Sequence, residues 1–160
     1  ECFVDEPLES AYHRLIGSGG CISPCESQYQ QPEDAGMRDK GAVLGDVAAF
    51  YKAFAFEYEA EVPETPDHIA VELAFLGYLK LKQAYALSRE DEAAFEICRD
   101  AETTFLREHL LSWAHLFLSR VIECSDNDFY SKAAAFLSEY LQDVEKNLRD
   151  ARKQLAERSR

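Results

Sequence analysis

All five prolines of this 160-residue chain lie before Asp67. From Asp67 to the end, no residue lacks a backbone N–H or forces a ring into the preceding turn, so long helices can form. The apolar residues there recur at helical spacing. Ile69, Leu73, Leu76, Leu79 and Leu81 predict a helix over Pro66–Leu87. Ser88-Arg89-Glu90-Asp91 offers a cap and an acidic first turn for a helix from Glu90 to Arg107. The stretch from His109 to Cys124 is apolar nearly all round, which predicts a central, buried helix. Ser125-Asp126-Asn127-Asp128 then opens a last helix carrying Phe129, Ala133, Phe136, Leu137, Tyr140, Leu141, Val144 and Leu148.

Before the prolines end, the pattern is more broken. Glu9–Ile16 reads as a helix halted by Gly17-Ser18-Gly19-Gly20. Cys21–Gly36 reads as a loop holding Pro24 and Pro32. Val43, Leu44, Val47, Phe50, Tyr51, Phe54 and Tyr58 predict a helix over Asp39–Glu61. No strand pattern, repeat or low-complexity tract is present. The expected fold class is all-α: a single-domain helical bundle over residues 1–148, followed by a basic tail at 149–160 that is a solvated helix end or disordered.

Length and composition bound the rest. A chain of this size buries about 70% of its unfolded surface and needs no staples. Ten Phe and eight Tyr argue for a packed core. No apolar run approaches the length that spans a bilayer, so no stable membrane insertion is expected. The formal net charge is −13, with a local excess of three positive charges in Glu145–Arg160. An acidic body disfavours nucleic acid, whose binding requires phosphate neutralisation. It suits a basic peptide, and net charge also keeps a protein in solution. The five cysteines, Cys2, Cys21, Cys25, Cys98 and Cys124, are an odd set that reads as reduced and intracellular.

The densest run of chemistry is Glu64-Thr65-Pro66-Asp67-His68-Ile69. Thr65 reads as an N-cap and Pro66 as the first helical residue. Asp67 suits the positive end of the helix dipole, whereas a protonated His68 does not. His68 and Glu72 are spaced i, i+4 and can touch. That pair lines a groove or forms a surface pair with a modest capping role. Phe105, His109, Trp113 and Phe117 form an aromatic stripe best read as core, with two polar handles that need partners. Cys21 and Cys25 sit four apart in a loop, but no second cysteine pair completes a zinc set. His109 and His115, six apart, fall on different helix faces. No phosphate-binding loop, nucleophile elbow or catalytic triad is legible, so a binding role is favoured over an enzyme.

Three segments together resemble a known family. They are Tyr12-His13-Arg14-Leu15-Ile16-Gly17 with Pro24-Cys25-Glu26-Ser27-Gln28-Tyr29, then Pro66-Asp67-His68-Ile69 with Glu72-Leu73 and Phe75-Leu76, then Phe105–Phe117 with His109-Leu110 and Trp113. Their order resembles the TorD/DmsD/NarJ family of redox-enzyme maturation chaperones over about Ala11–Leu141. The resemblance implies a cytoplasmic, all-helical, non-enzymatic chaperone without a resident cofactor. Such proteins bind the twin-arginine leader, or another N-terminal segment, of a molybdopterin oxidoreductase catalytic subunit. They hold it until its molybdenum cofactor is inserted. Some members form homodimers, including domain-swapped ones. Guanine-nucleotide binding, attributed to some members, is not carried over. Members usually have further helices before the Tyr-x-Arg-Leu segment, where this chain has about ten residues. A core without them would expose apolar surface or borrow cover from another chain.

The expected peptide site follows from the chemistry of such a leader. Two arginines ask for carboxylates, and an apolar stretch asks for a greasy groove. Asp67 and Glu72 are the expected charges, with Glu64 and Glu26 beside them. His68 is the expected orienting group, with Pro66 at the helix start. Tyr12, Tyr29 and Trp113 are the expected groove aromatics. Two other classes compete. One is a small helical protein that binds a metal or cofactor through Cys21, Cys25 and a histidine. The other is a scaffold in which the Pro-Asp-His turn is only a cap.

Overall fold

The computed structural model describes residues 7–17, 19–29, 40–58 and 64–158. Six α-helices cover most of them: α1 (Leu8–Leu15), α2 (Lys40–Ala53), α3 (Ile69–Ser88), α4 (Glu92–Phe105), α5 (Leu111–Cys124) and α6 (Asp128–Arg158). A 3-10 turn spans Glu26–Gln28, and a π-helical segment spans Leu106–Leu110. Among the described residues there is no strand, only an isolated bridge between Cys25 and His68. The all-α class is thus met. No helix of the described residues is long and apolar enough to cross a membrane.

The chain divides into two compact units, residues 25–113 and residues 1–24 with 114–160. In the 25–113 unit the core is aromatic. Val47, Tyr51, Val71, Phe75, Leu79 and Phe105 form its sealed centre. Phe75 has the rings of Tyr51 and Phe105 each 4.9 Å from its own, with Phe56 at 5.4 Å. Burying such a side chain contributes about 1.5–3 kcal/mol, and each edge-to-face or tilted ring pair about 0.5–1.5 kcal/mol more. The short turn after Ser88 folds α4 back on α3, and Gln83 donates to Glu102 at 2.6 Å across the pair. α4 starts at Glu92 rather than Glu90, and Asp91, expected in the first turn, is its cap, accepting from the Ala94 amide at 2.9 Å.

In the other unit, Tyr130 of α6 donates to the Leu8 carbonyl at 2.9 Å, and its ring lies 6.3 Å from Tyr12. These contacts fasten α1 to α6. α1 stops where expected. A Cβ added at Gly20 would fall 2.7 Å from the Ile16 nitrogen, so the returning chain needs glycine there. Asn127 caps α6 by accepting from the Phe129 amide.

Several expected boundaries move. α2 ends at Ala53 rather than running to Glu61, because Ala55 adopts a left-handed φ of 52° and the chain turns. Between α4 and α5 no break occurs near Arg107. A π-helical segment carries the backbone from one helix into the next. α5 is not buried all round: Trp113, Ala114, Phe117, Leu118 and Val121 are sealed, while His115, Arg120 and Ile122 face solvent. α6 continues through Arg158 into the expected tail. The predicted features at Ser18, Gln30–Asp39 and Glu59–Pro63, including the Pro32 loop and the start and end of the Asp39–Glu61 helix, lie outside the described residues.

Candidate functional site

The start of α3 is built differently from the sequence expectation. Thr65 and Pro66 precede the helix as part of a turn closed by His68 N–H to the Thr65 carbonyl at 3.0 Å. His68 itself is the N-cap, its Nδ1 accepting from the Ala70 amide at 3.1 Å. An imidazole accepts only when neutral, and burial pushes the His68 pKa below its ordinary value despite Glu64 and Asp67. The objection to a charged histidine at a helix N-terminus therefore does not apply. The remaining ring nitrogen, Nε2, lies 3.7 Å from Glu64 Oε2. The i, i+4 spacing puts the Glu72 N–H on the His68 carbonyl at 3.0 Å, while the Glu72 side chain turns into the core toward Trp113.

Two distant loops are clasped beside this cap. The Glu26 amide donates to the Asp67 carbonyl at 2.9 Å, and the Ser27 amide to Asp67 Oδ2 at 3.0 Å. Burial pushes the Asp67 carboxyl up, but the Ser27 and Thr65 donors around it win, and its pKa lies below the usual value. Cys25 Sγ lies 3.5 Å from Thr65 Oγ1 in the same clasp.

Inside the clasp is a sealed polar cluster. The 3-10 turn contributes Glu26, α3 contributes Glu72, the π-helical segment contributes His109 and α5 contributes Trp113. All four are buried to within 1% of complete. His109 Nδ1 lies 3.0 Å from Glu26 Oε2, an arrangement in which the ring N–H donates to the carboxylate. Trp113 Nε1–H donates to Glu72 Oε2 at 3.3 Å. Burial first, and the charge of Glu26 second, push the Glu72 pKa well above the carboxylate range. Burial thus favours the protonated form of Glu72 over the charged one. Glu72 Oε1 is buried with no hydrogen-bond partner among the described residues. Tyr29 covers the cluster with its ring 5.2 Å from Trp113.

The outer side of the same turn faces a cleft of about 550 Å³, lined by Ala48, Tyr51, Lys52, Ala55, Phe56, Glu57, Tyr58 and Pro66. Tyr51 donates to the Pro66 carbonyl at 2.8 Å, which ties α2 to the turn. Tyr78 donates to the Phe54 carbonyl at 3.0 Å and so fixes the bend that ends α2.

Of the residues the sequence nominated, Glu26, Asp67, His68, Glu72, Tyr29 and Trp113 are brought together and buried in the 25–113 unit. Pro66 lines the cleft, and Glu64 is partly exposed at the turn. Tyr12 belongs to the other unit, beside Tyr130 and His13. Sequence reading missed the cleft residues Phe56 and Tyr58. Phe54, Phe56 and Tyr58 recur at every second position, which a helix does not do, and that was the available signal. The metal reading finds no ligand set: among the described residues no three His, Cys, Asp or Glu side chains gather to hold an ion.

Comparison with known proteins places this sequence among relatives. The family model described as "Nitrate reductase delta subunit" matches residues 4–119. The chain is 29% identical over 140 residues, 86% of its length, to a chaperone protein TorD of Shewanella sp. (strain MR-4). It is 33% identical over 72% of its length to a chlorate reductase assembly chaperone protein of Ideonella dechloratans. It is 31% identical over 95% of its length to a selenate reductase assembly chaperone protein of Thauera selenatis, covering 76% of that protein. The chain spans between 49% and 60% of the length of the first relatives it matches. No solved structure matches it significantly.

Proposed function

We propose a function from one premise: the chain belongs to the nitrate reductase delta subunit family, which includes TorD-like maturation chaperones. On our reading it is a maturation chaperone for a molybdopterin oxidoreductase and catalyses no reaction itself. It binds the N-terminal leader of the catalytic subunit, twin-arginine in type, and holds that subunit in the cytoplasm while the molybdenum cofactor is inserted.

One observation carries the reading. Within the 25–113 unit, Glu26 and Ser27 bond Asp67 of the Thr65–His68 turn, His109 bonds Glu26 and Trp113 bonds Glu72, while Pro66 of the same turn lines a cleft. Glu26, Asp67, His68, Glu72, Tyr29 and Trp113 hold the turn and tune its charge. Pro66 and Glu64 meet the peptide. The ionised Asp67 adds a fixed negative charge just behind the surface, where a cationic leader gains most.

Calorimetric titration tests this with a synthetic leader bearing Arg-Arg before an apolar stretch, and with the same peptide carrying Gln-Gln. Saturable binding is expected to the first and at least about tenfold weaker binding to the second, since charge-assisted contacts are lost. Equal affinity for both, or no binding to either, overturns the proposal.

A further inference from the structure

α6 is 31 residues long, about 46 Å of helix, and its apolar residues keep one repeat from end to end. Tyr130, Ala134, Leu137, Leu141, Val144, Leu148, Ala151 and Leu155 follow one another at alternating steps of four and three, the seam of a coiled coil. The first half of that seam is buried. Ala134 and Leu141 are each 5% exposed, and Tyr130 and Leu137 are half-buried. Cover then runs out. Val144 and Leu148 are half-buried, and every residue from Arg149 to Gln154 is exposed, Ala151 included. The seam therefore continues past the surface that fills it.

The charges beside the bare part of the seam differ in sign along one flank. Glu145 and Arg152 occupy equivalent positions of the repeat, one heptad apart. In a parallel pair of such helices that flank faces the opposite one, where Tyr140 and Asn147 carry no charge. In an antiparallel pair with Leu148 opposite Ala151 of the second copy, the flank meets itself. Glu145 of each copy then faces Arg152 of the other. Lys146 and Lys153, which add to the positive excess of this segment, lie on the outward side of the repeat and are exposed. Within the chain Glu145 has Arg149 at 3.7 Å, a pair with both side chains more than half exposed and thus weakly held.

We propose that the end of α6, from Val144 onward, is a self-association surface, and that its occupant is the same segment of a second copy, running antiparallel. A two-fold axis repeats every contact, so a short seam and one kind of charge pair are each used twice. The segment needs no separate helix nucleation, because it prolongs a helix already anchored through Ala134 and Leu141. About two heptads per copy suit a weak dimer that forms with rising concentration, not an obligate one.

Sedimentation equilibrium of the full chain, from about 10 µM to about 1 mM, tests this. A monomer–dimer equilibrium with a Kd on the order of 100 µM is expected. Glu145→Arg and Arg152→Glu each turn two attractions into two repulsions. Each alone is expected to weaken self-association at least about tenfold. Mixed in equal amounts, the two variants are expected to recover the wild-type affinity as a heterodimer, since each presents the charge that the other lacks. Only an antiparallel pair lets positions 145 and 152 meet, so the recovery also fixes the orientation. Both substitutions fall on exposed side chains, and circular dichroism confirms that each variant keeps the wild-type helicity. A wild-type chain still monomeric at about 1 mM, a dimer that neither reversal weakens, or a mixture that fails to recover overturns the proposal.

Discussion

Glu26 and His109, 83 positions apart in the chain, meet at 3.0 Å with both side chains 1% exposed. The contact joins the 3-10 turn after Cys25 to the π-helical segment between α4 and α5. A carboxylate sealed this deeply is costly unless a donor faces it. The pair therefore reports whether those two segments are docked.

Removing one partner should be worse than removing both. His109→Phe is expected to lose about 3–5 kcal/mol, because it leaves Glu26 buried without its donor. Glu26→Gln with His109→Phe should recover part of that loss. Urea unfolding of the two single variants and the double variant gives the coupling directly. Additive losses would show that the pair is not coupled.

Glu72 carries the opposite sign of pH dependence from most carboxylates. Its folded pKa lies above the unfolded value of 4.5, so the native state binds more protons than the unfolded chain. Stability from this residue is full below about pH 4.5 and declines as pH rises toward the folded pKa. Glu72→Gln keeps an acceptor for Trp113 and has no proton to lose. Its melting temperature should exceed that of the wild type increasingly as pH rises from 5 to neutrality, followed by scanning calorimetry.

The His68 cap predicts a second, opposite pH effect. Its folded pKa lies below the unfolded 6.5, so protons bind the unfolded chain first. Stability is full above about pH 6.5 and falls as pH drops through the window beneath it. His68→Ala should cost about 1 kcal/mol at neutral pH, and His68→Asn, a good cap without that titration, should recover most of it and flatten the acid side. Leader affinity measured on the same variants separates roles: a cap and nothing more leaves it unchanged.

Trp113 is packed and bonded at once. Trp113→Phe keeps the apolar contact with Tyr29 but deletes the N–H that serves Glu72 Oε2. A loss of about 1–3 kcal/mol is expected from the stranded acceptor. In the Glu72→Leu background the same change should cost less, which chemical denaturation would read out.

Much of the scaffold was legible in one dimension. Helical spacing after Pro66 located α3, α4, α5 and α6, and the acidic restart marked the start of α4, with Asp91 as its cap rather than in its first turn. The aromatic stripe Phe105, His109, Trp113 and Phe117 is buried as read. His68 was recognisable as unusual, since the positive end of a helix does not ask for an imidazole. What each side chain touches was not legible. Glu72 and His68 are neighbours by helical spacing, yet one bonds Trp113 and the other caps Ala70. The cleft rings escaped notice because a left-handed Ala55 interrupts α2 without glycine or proline to announce it.

The sequence by itself determined the helical class, the run of helices after the last proline and the family, because periodicity, caps and motif order are local properties of the chain. Tertiary structure alone decided the ionisation of the polar residues and which face of the Pro66 turn stays open. Those depend on burial and on partners 40 or more positions away, and no local spacing encodes the loss of solvent that raises the Glu72 pKa and lowers that of His68.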